Sequence, residues 1–329
     1  MRLHCDHLGK SHVLVIAKGT WSLSTGRMAS AERQVSLYEY PVNIRLGDLK
    51  LDQSQKEAMR SRLDEEIVWL GYDLSPPKPA FDVIVAGYVT APTSCSEMFI
   101  DAGIRVGTRT ASIRAHVPRF WQSRWIGYKA TPLATSVRRV PITYAVADWA
   151  QGFNIDPDQD KSSPLPKYLP WIESLNASAN HRRHSRAPAG FGCWPESATH
   201  RQAYLGTFGK TWKKDGSPDL PRDFNPRFYN VAHPDLQLPE VPASGTEIRL
   251  VHLAEKSIID FAFPFLSLAV QARTGAGHEL TPTSLRPDTL TIEPDEDRLS
   301  IVWRVLIPTG TGDSAIRIVR LFKPPVSIR

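Results

Sequence analysis

Asp73, Lys78 and Asp82 bracket a proline-rich turn in the phrase GYDLSPPKPAFDVIVAG, just before an apolar strand. Acids and a lysine at this spacing could tie the turn with hydrogen bonds or present charge to a partner. The prolines hold the preceding chain extended, and the spacing predicts the structural tie. GTFGKT at residues 206–211 tempts a phosphate-loop reading, but the position five before Gly209 is Tyr204, so the required spacing fails. Asp156, Asp158 and Asp160 open like a calcium loop, yet Lys161 replaces its glycine and Lys167 its bidentate acid. His4, Cys5 and His7 lie too close together, at a terminus, to close a tetrahedral metal site. No GxSxG elbow, HExxH motif or paired His and Cys pattern is present. The expectation is therefore a protein without catalytic residues, cofactor or metal.

HRRHSR at residues 181–186 is the densest basic cluster. A solvated loop accounts for it, and contact with an acidic protein is the next reading, with Arg182, Arg183 and Trp194 as the candidate contact residues. Nucleic-acid recognition needs more charge on one face, interleaved with stacking aromatics, and is not expected.

The elements that would position these residues are mostly strands. Residues 12–23 and 81–90 are rich in β-branched side chains, and Ile104 and Val106 alternate against Ala111, Ile113, Ala115 and Val117 across a turn near Gly107. Strand signals return at 247–253 and 258–263. Leu290 and Ile292 then lead through a PDED turn at 294–297 into Leu299, Ile301, Trp303 and Val305 on one face, and a last strand is expected around Ile316, Ile318 and Leu321. One amphipathic helix is predicted over 52–70, where Ser54 and Glu57 form a capping box and Met59, Leu63, Ile67 and Leu70 recur at helical spacing.

Between the strand-rich blocks, residues 156–242 carry 12 of the 27 prolines, too many for regular structure. Within that stretch, residues 187–235 crowd Phe, Trp and Tyr between prolines and glycines, which predicts irregular chain anchored to a core and excludes a flexible linker. The expected organisation is a β-rich block over 1–150, an ordered irregular segment over 151–242 and a second β-rich block over 243–329, which can form one unit. The fold class is mainly β, an antiparallel sandwich with one helix and a long irregular middle.

The 329 residues are 41% hydrophobic and 22% charged, an ordinary globular composition. Lys plus Arg exceeds Asp plus Glu by 40 − 34 = 6, spread along the chain. Three widely spaced cysteines suggest reduced thiols in a cytosol. The apolar run at 13–17 is too short for a signal core, and none reaches the roughly 18 residues of a membrane span. A cytoplasmic protein without stable membrane insertion is expected.

In their order, several phrases resemble the domain-of-unknown-function family numbered 2169. They are the early strand from Lys18 to Trp21, DLSPPKPAFDVIVAG at 73–87, RAPAGFG at 186–192, LGTFGKTW at 205–212, LPRDFNPRFYNVAHPD at 220–235 and DTLTIEPDEDRLSIVWR at 288–304. The chain departs from the family pattern at 144–149, which reads YAVADW, at Phe208 and at Leu236. Members of the family look like adaptor chaperones of the bacterial type VI secretion system. The resemblance implies a non-enzymatic protein of a Gram-negative cytoplasm that holds a secreted effector, at its N-terminal or PAAR-like region, and loads it onto the VgrG/PAAR spike. The alternative is a β-sandwich enzyme or carbohydrate-binding protein whose Trp-rich loops stack sugars. Within the family phrases, Lys18, Asp73, Lys78, Asp82, Trp212, Asp223, Phe224, Phe228, Trp303 and Arg304 are the nominated positions, with architecture as their simplest role.

Overall fold

The computed structural model describes residues 2–5, 11–28, 75–92, 98–117, 119–123, 125, 128–132, 135–136, 138–142, 171–175, 189–194, 199–209, 222–264, 266–308 and 316–322. The helix expected over 52–70 lies outside them, as do Asp73, Arg182, Arg183, Trp212 and the acidic turn at 156–160.

Strands dominate. The larger sheet runs β1 (Arg2–Cys5), β2 (Ser11–Ser22), β16 (Arg298–Pro308), β15 (Thr283–Glu293), β14 (Leu268–Thr274) and β17 (Ile316–Phe322), and β3 (Phe81–Val85) joins β15 and carries β11 (Gln237–Leu238) on its other edge. A five-stranded sheet runs β10 (Ile172–Ser174), β6 (Arg109–His116), β5 (Phe99–Val106), β12 (Glu247–Val251) and β13 (Ile258–Ala262). Two ribbons complete it: β4 (Tyr88–Thr90) with β9 (Arg139–Pro141), and β7 (Arg119–Ser123) with β8 (Tyr128–Pro132). The chain is thus mainly β, as expected, with one short described α-helix, α1 (Thr199–Gln202).

Both sheets mix early strands with late ones. β2 pairs along its length with β16, from Ser22 opposite Arg298 to His12 opposite Pro308. β5, from the first third, pairs with β12 from the last. Each sheet therefore joins segments far apart in sequence.

Period-two alternation sets the smaller sheet. Ile100, Ala102, Ile104 and Val106 on β5 are buried, as are Ala111, Ile113 and Ala115 on β6, and both join one apolar cluster with Val83, Val85, Leu290, Ile292 and Ile301 of the larger sheet. Phe81 meets Phe263 edge-on at 5.7 Å within this cluster. Strand β3 is buried at all five positions, so both of its faces are covered as well as both of its edges paired.

Three features depart from the sequence expectation. The pairing of β3 with β15 is parallel, Asp82 lying opposite Thr289 and Val85 opposite Ile292, within an otherwise antiparallel sheet. On β16 both faces are buried: Leu299, Ile301 and Trp303 on the expected face, and Ser300, Val302 and Arg304 on the other. The predicted strand over 81–90 is broken at Gly87, where φ is 139° and the Asp295 carboxylate stands 3.1 Å from the place a Cβ would take.

Candidate functional site

Strand β15 forks the larger sheet. Its first residues pair with β14, Leu285 opposite Leu268, and its last pair with β3. The register against β16 shifts between Pro287 and Thr289, which leaves Asp288 as the extra residue of a bulge at the fork. The bulge aims the Asp288 carboxylate into the interior, where the side chain is 1% exposed.

Asp288 accepts from the Arg304 guanidinium on β16, from Thr289 Oγ1 at 2.9 Å and from the Lys78 backbone N–H at 3.1 Å. Burial pushes its carboxyl above the ordinary range, and the charges of Arg304 and Lys78 pull it back. Lys78 bridges to a second acid: its Nζ donates to Asp82 Oδ2 at 2.8 Å, with side chains 5% and 0% exposed. Asp82 also accepts from Asn230 Nδ2 at 2.9 Å and from the Val231 N–H at 2.8 Å. Asn230 completes the exchange with Ala80, donating to its carbonyl at 2.8 Å and accepting from its N–H at 3.3 Å.

Two cations and two carboxylates are thus buried together with balanced charge and with hydrogen bonds to their neighbours. Such a network is costly to break, because removing one partner leaves the other charged and dry. It joins three segments: the proline turn before β3, the bulge of β15, and the irregular chain at 230–231. A proton-transfer site would need a titratable group open to a substrate, and these groups are enclosed and mutually occupied.

A second anchor holds the irregular middle. Arg201 on α1 is 1% exposed and donates to the Phe228 carbonyl through Nε at 3.2 Å and Nη2 at 2.9 Å, and to the Trp194 carbonyl at 2.7 Å. Its guanidinium also lies over the Phe228 ring at 4.7 Å. Phe224, Phe228 and Tyr229 form a triad of rings 5.4–6.0 Å apart, and burial raises the Tyr229 hydroxyl to about 12. Nearby, Asp223 accepts from the Thr207 N–H and Oγ1, both at 2.8 Å. Gly206, with φ 57°, permits that approach, since a Cβ there would fall 2.5 Å from the Asp223 carboxyl carbon. The GTFG part of the tempting phosphate motif is this 3-10 turn.

The remaining nominated residues belong to the frame. Lys18 lies on β2 opposite Val302 and is half-buried. Trp303 is 1% exposed, donates Nε1–H to the Leu266 carbonyl at 3.1 Å and tilts against Trp21 at 6.0 Å. Trp194, expected among the partner contacts, is instead 2% exposed with its ring edge-on to His233 at 5.4 Å. Its apolar bulk is spent on the interior. The same burial removes Trp194 and Phe228 as platforms for stacking a sugar.

Sequence reasoning missed Asn230, Asp288 and Arg201. Asp288 had a weak signal: an acid just ahead of the strand-forming run TLTI in β15, where a buried position must find a cation. Arg201, outside every family phrase, had none. On the smaller sheet, Glu173 accepts from Arg119 at 3.1 Å and contacts His116 Nε2 at 2.9 Å. These partners hold its carboxyl down to about 2 although burial opposes them. Among the described residues no group of three His, Cys, Asp or Glu could hold a metal ion, and no helix is long and apolar enough to cross a membrane.

No curated protein and no solved structure matches the chain. A family profile does match, over residues 8–148 and 150–304, and it spans every phrase from Lys18 to Arg304. The chain belongs to DUF2169, a family of uncharacterized proteins conserved in bacteria.

Proposed function

We propose that this chain is a non-enzymatic adaptor chaperone of a bacterial type VI secretion system. It binds a secreted effector in the cytoplasm of a Gram-negative cell, at the effector's N-terminal or PAAR-like region, and helps load it onto the VgrG/PAAR spike. The observation that carries this reading is the ordered set of phrases from Lys18 to Arg304, which resembles family members that look like such adaptors.

The geometry supports it in one respect. Charged residues of those phrases are consumed in buried ties that hold irregular chain onto a β frame, so recognition falls to loops and sheet edges. Among the described strands β13 is the last of its sheet, with Ile258 and Asp260 exposed and Ile259 and Phe261 half-buried against the core. An extended effector segment can add to such an edge through main-chain hydrogen bonds. Co-expression with the products of the adjacent effector and spike genes, followed by affinity isolation and mass measurement, tests the reading. A stoichiometric complex with the effector is expected, and an effector that never co-purifies overturns it.

A further inference from the structure

The β7–β8 ribbon stands apart in both topology and chemistry. Among the described residues neither strand pairs with another sheet, and the loop between them carries Trp125, which is fully exposed. A two-stranded ribbon buries little, and an indole left wholly in water at its tip contributes nothing to the described fold. Net charge is spread along the chain as a whole, yet residues 102–147 hold eight Arg and Lys and no Asp or Glu.

Four of those cations are met by acids from outside that stretch: Arg105 by Glu247, Arg114 by Asp101, Arg119 by Glu173 and Arg139 by Asp295. Arg119 sits at the base of the ribbon, so its tie to Glu173 fixes the ribbon to the body. Farther out, Lys129 is exposed opposite Gln122, and the loop sequence adds Arg124 beside Trp125.

We propose that the β7–β8 ribbon is a docking arm for an acidic protein surface, with Trp125 as its apolar anchor and Lys129 as its charge contact. Trp and Arg are the residues that most often dominate protein interfaces, and an acidic rim around an apolar pocket complements this tip. Two cations give an anionic bilayer only a weak hold, and a nucleic-acid backbone calls for more neutralised phosphates. The proposal assigns a surface to the partner invoked above and rests on the chain being a protein-binding protein.

The test places a photo-crosslinking p-benzoylphenylalanine at position 125 in the full chain, in its own cell, with exposed Ser244 as the control position. The expected result is a protein adduct, absent at position 244, mapping to a segment of net negative charge. Lys129→Glu should cut it roughly tenfold, and an acid-to-Lys change in the mapped segment should restore it. Melting temperature should be unchanged by either substitution, since both side chains are exposed. No adduct above the Ser244 control, an adduct with lipid or nucleic acid, or one indifferent to Lys129→Glu overturns the proposal. The two readings fail separately. A captured protein that is not secreted counts against the adaptor and leaves the arm standing, while an effector bound equally well by Trp125→Ala, Lys129→Glu protein removes the arm alone.

Discussion

The side-chain amide of Asn230 donates to the Asp82 carboxylate at 2.9 Å, across 148 residues of chain. Asp82 is one of two acids in a closed set with Lys78 and Arg304, and Asn230 belongs to the irregular middle. Through this contact the irregular segment is fastened to the most buried strand of the fold, and the order of the family phrases acquires a physical meaning. The phrases at 73–87, 220–235 and 288–304 meet at one buried network.

Asp82→Ala should destabilise the chain by about 3–5 kcal/mol, because Lys78 and the Asn230 and Val231 donors lose their acceptor inside the core. Urea unfolding measures it. A paired Lys78→Met, Asp82→Leu variant should recover part of the loss, since it removes both charges together although the Asn230 and Val231 donors stay without their acceptor. A loss in the double variant equal to or larger than in the single one would show that the network is needed for more than charge balance.

Gly206→Ala should cost about 1–3 kcal/mol, because φ is 57° there and the added methyl meets the Asp223 carboxylate. The damage should stay local. Hydrogen exchange should rise at the Thr207 amide, and protection across β15 and β16 should be unchanged.

Asp297→Ala should cost about 1–2 kcal/mol in thermal unfolding. Asp297 turns the β15–β16 hairpin at φ 50°, and its carboxylate accepts from Ser22 Oγ at 2.6 Å, Ser24 N–H at 2.7 Å and Ser24 Oγ at 2.8 Å. Asp297→Asn keeps the left-handed tolerance and one acceptor oxygen, so it should lie between the two.

Acid should weaken the fold in part through Glu173. Its folded pKa is held down to about 2 against an ordinary value of 4.5. A depressed carboxyl contributes stability above its unfolded pKa and loses it as pH falls through the folded value. The contribution, on the order of 3 kcal/mol, should therefore disappear between about pH 4.5 and pH 2. Glu173→Gln should flatten the pH dependence of unfolding in that window.

Local signals made much of the fold legible. The hairpin from Leu290 to Val305 followed from alternation around Pro294–Asp297, and the β5–β6 hairpin from alternation around Gly107. The parallel pairing of β3 with β15 left no such trace, because its partners lie about 200 residues apart and no long helix lies between them among the described residues. The reading also gave β16 one buried face, whereas Arg304 shows why there are two: paired with Asp288, a cation can sit inside. Lys78 and Asp82 were readable as a tie because they are four residues apart. Asn230 and Asp288, which complete that tie, come from distant segments and could be placed only by the topology. Trp194 could be read both as a core anchor and as a partner contact, because an aromatic among glycines and prolines looks the same in sequence whether it faces solvent or core; its 2% exposure fits the anchor.

The central claim is tested most directly by deleting this gene and following the proposed client effector in cells and in culture medium. The account predicts that this effector becomes insoluble or is no longer exported, while other effectors of the same secretion system leave normally. Unchanged solubility and export of that effector would contradict it.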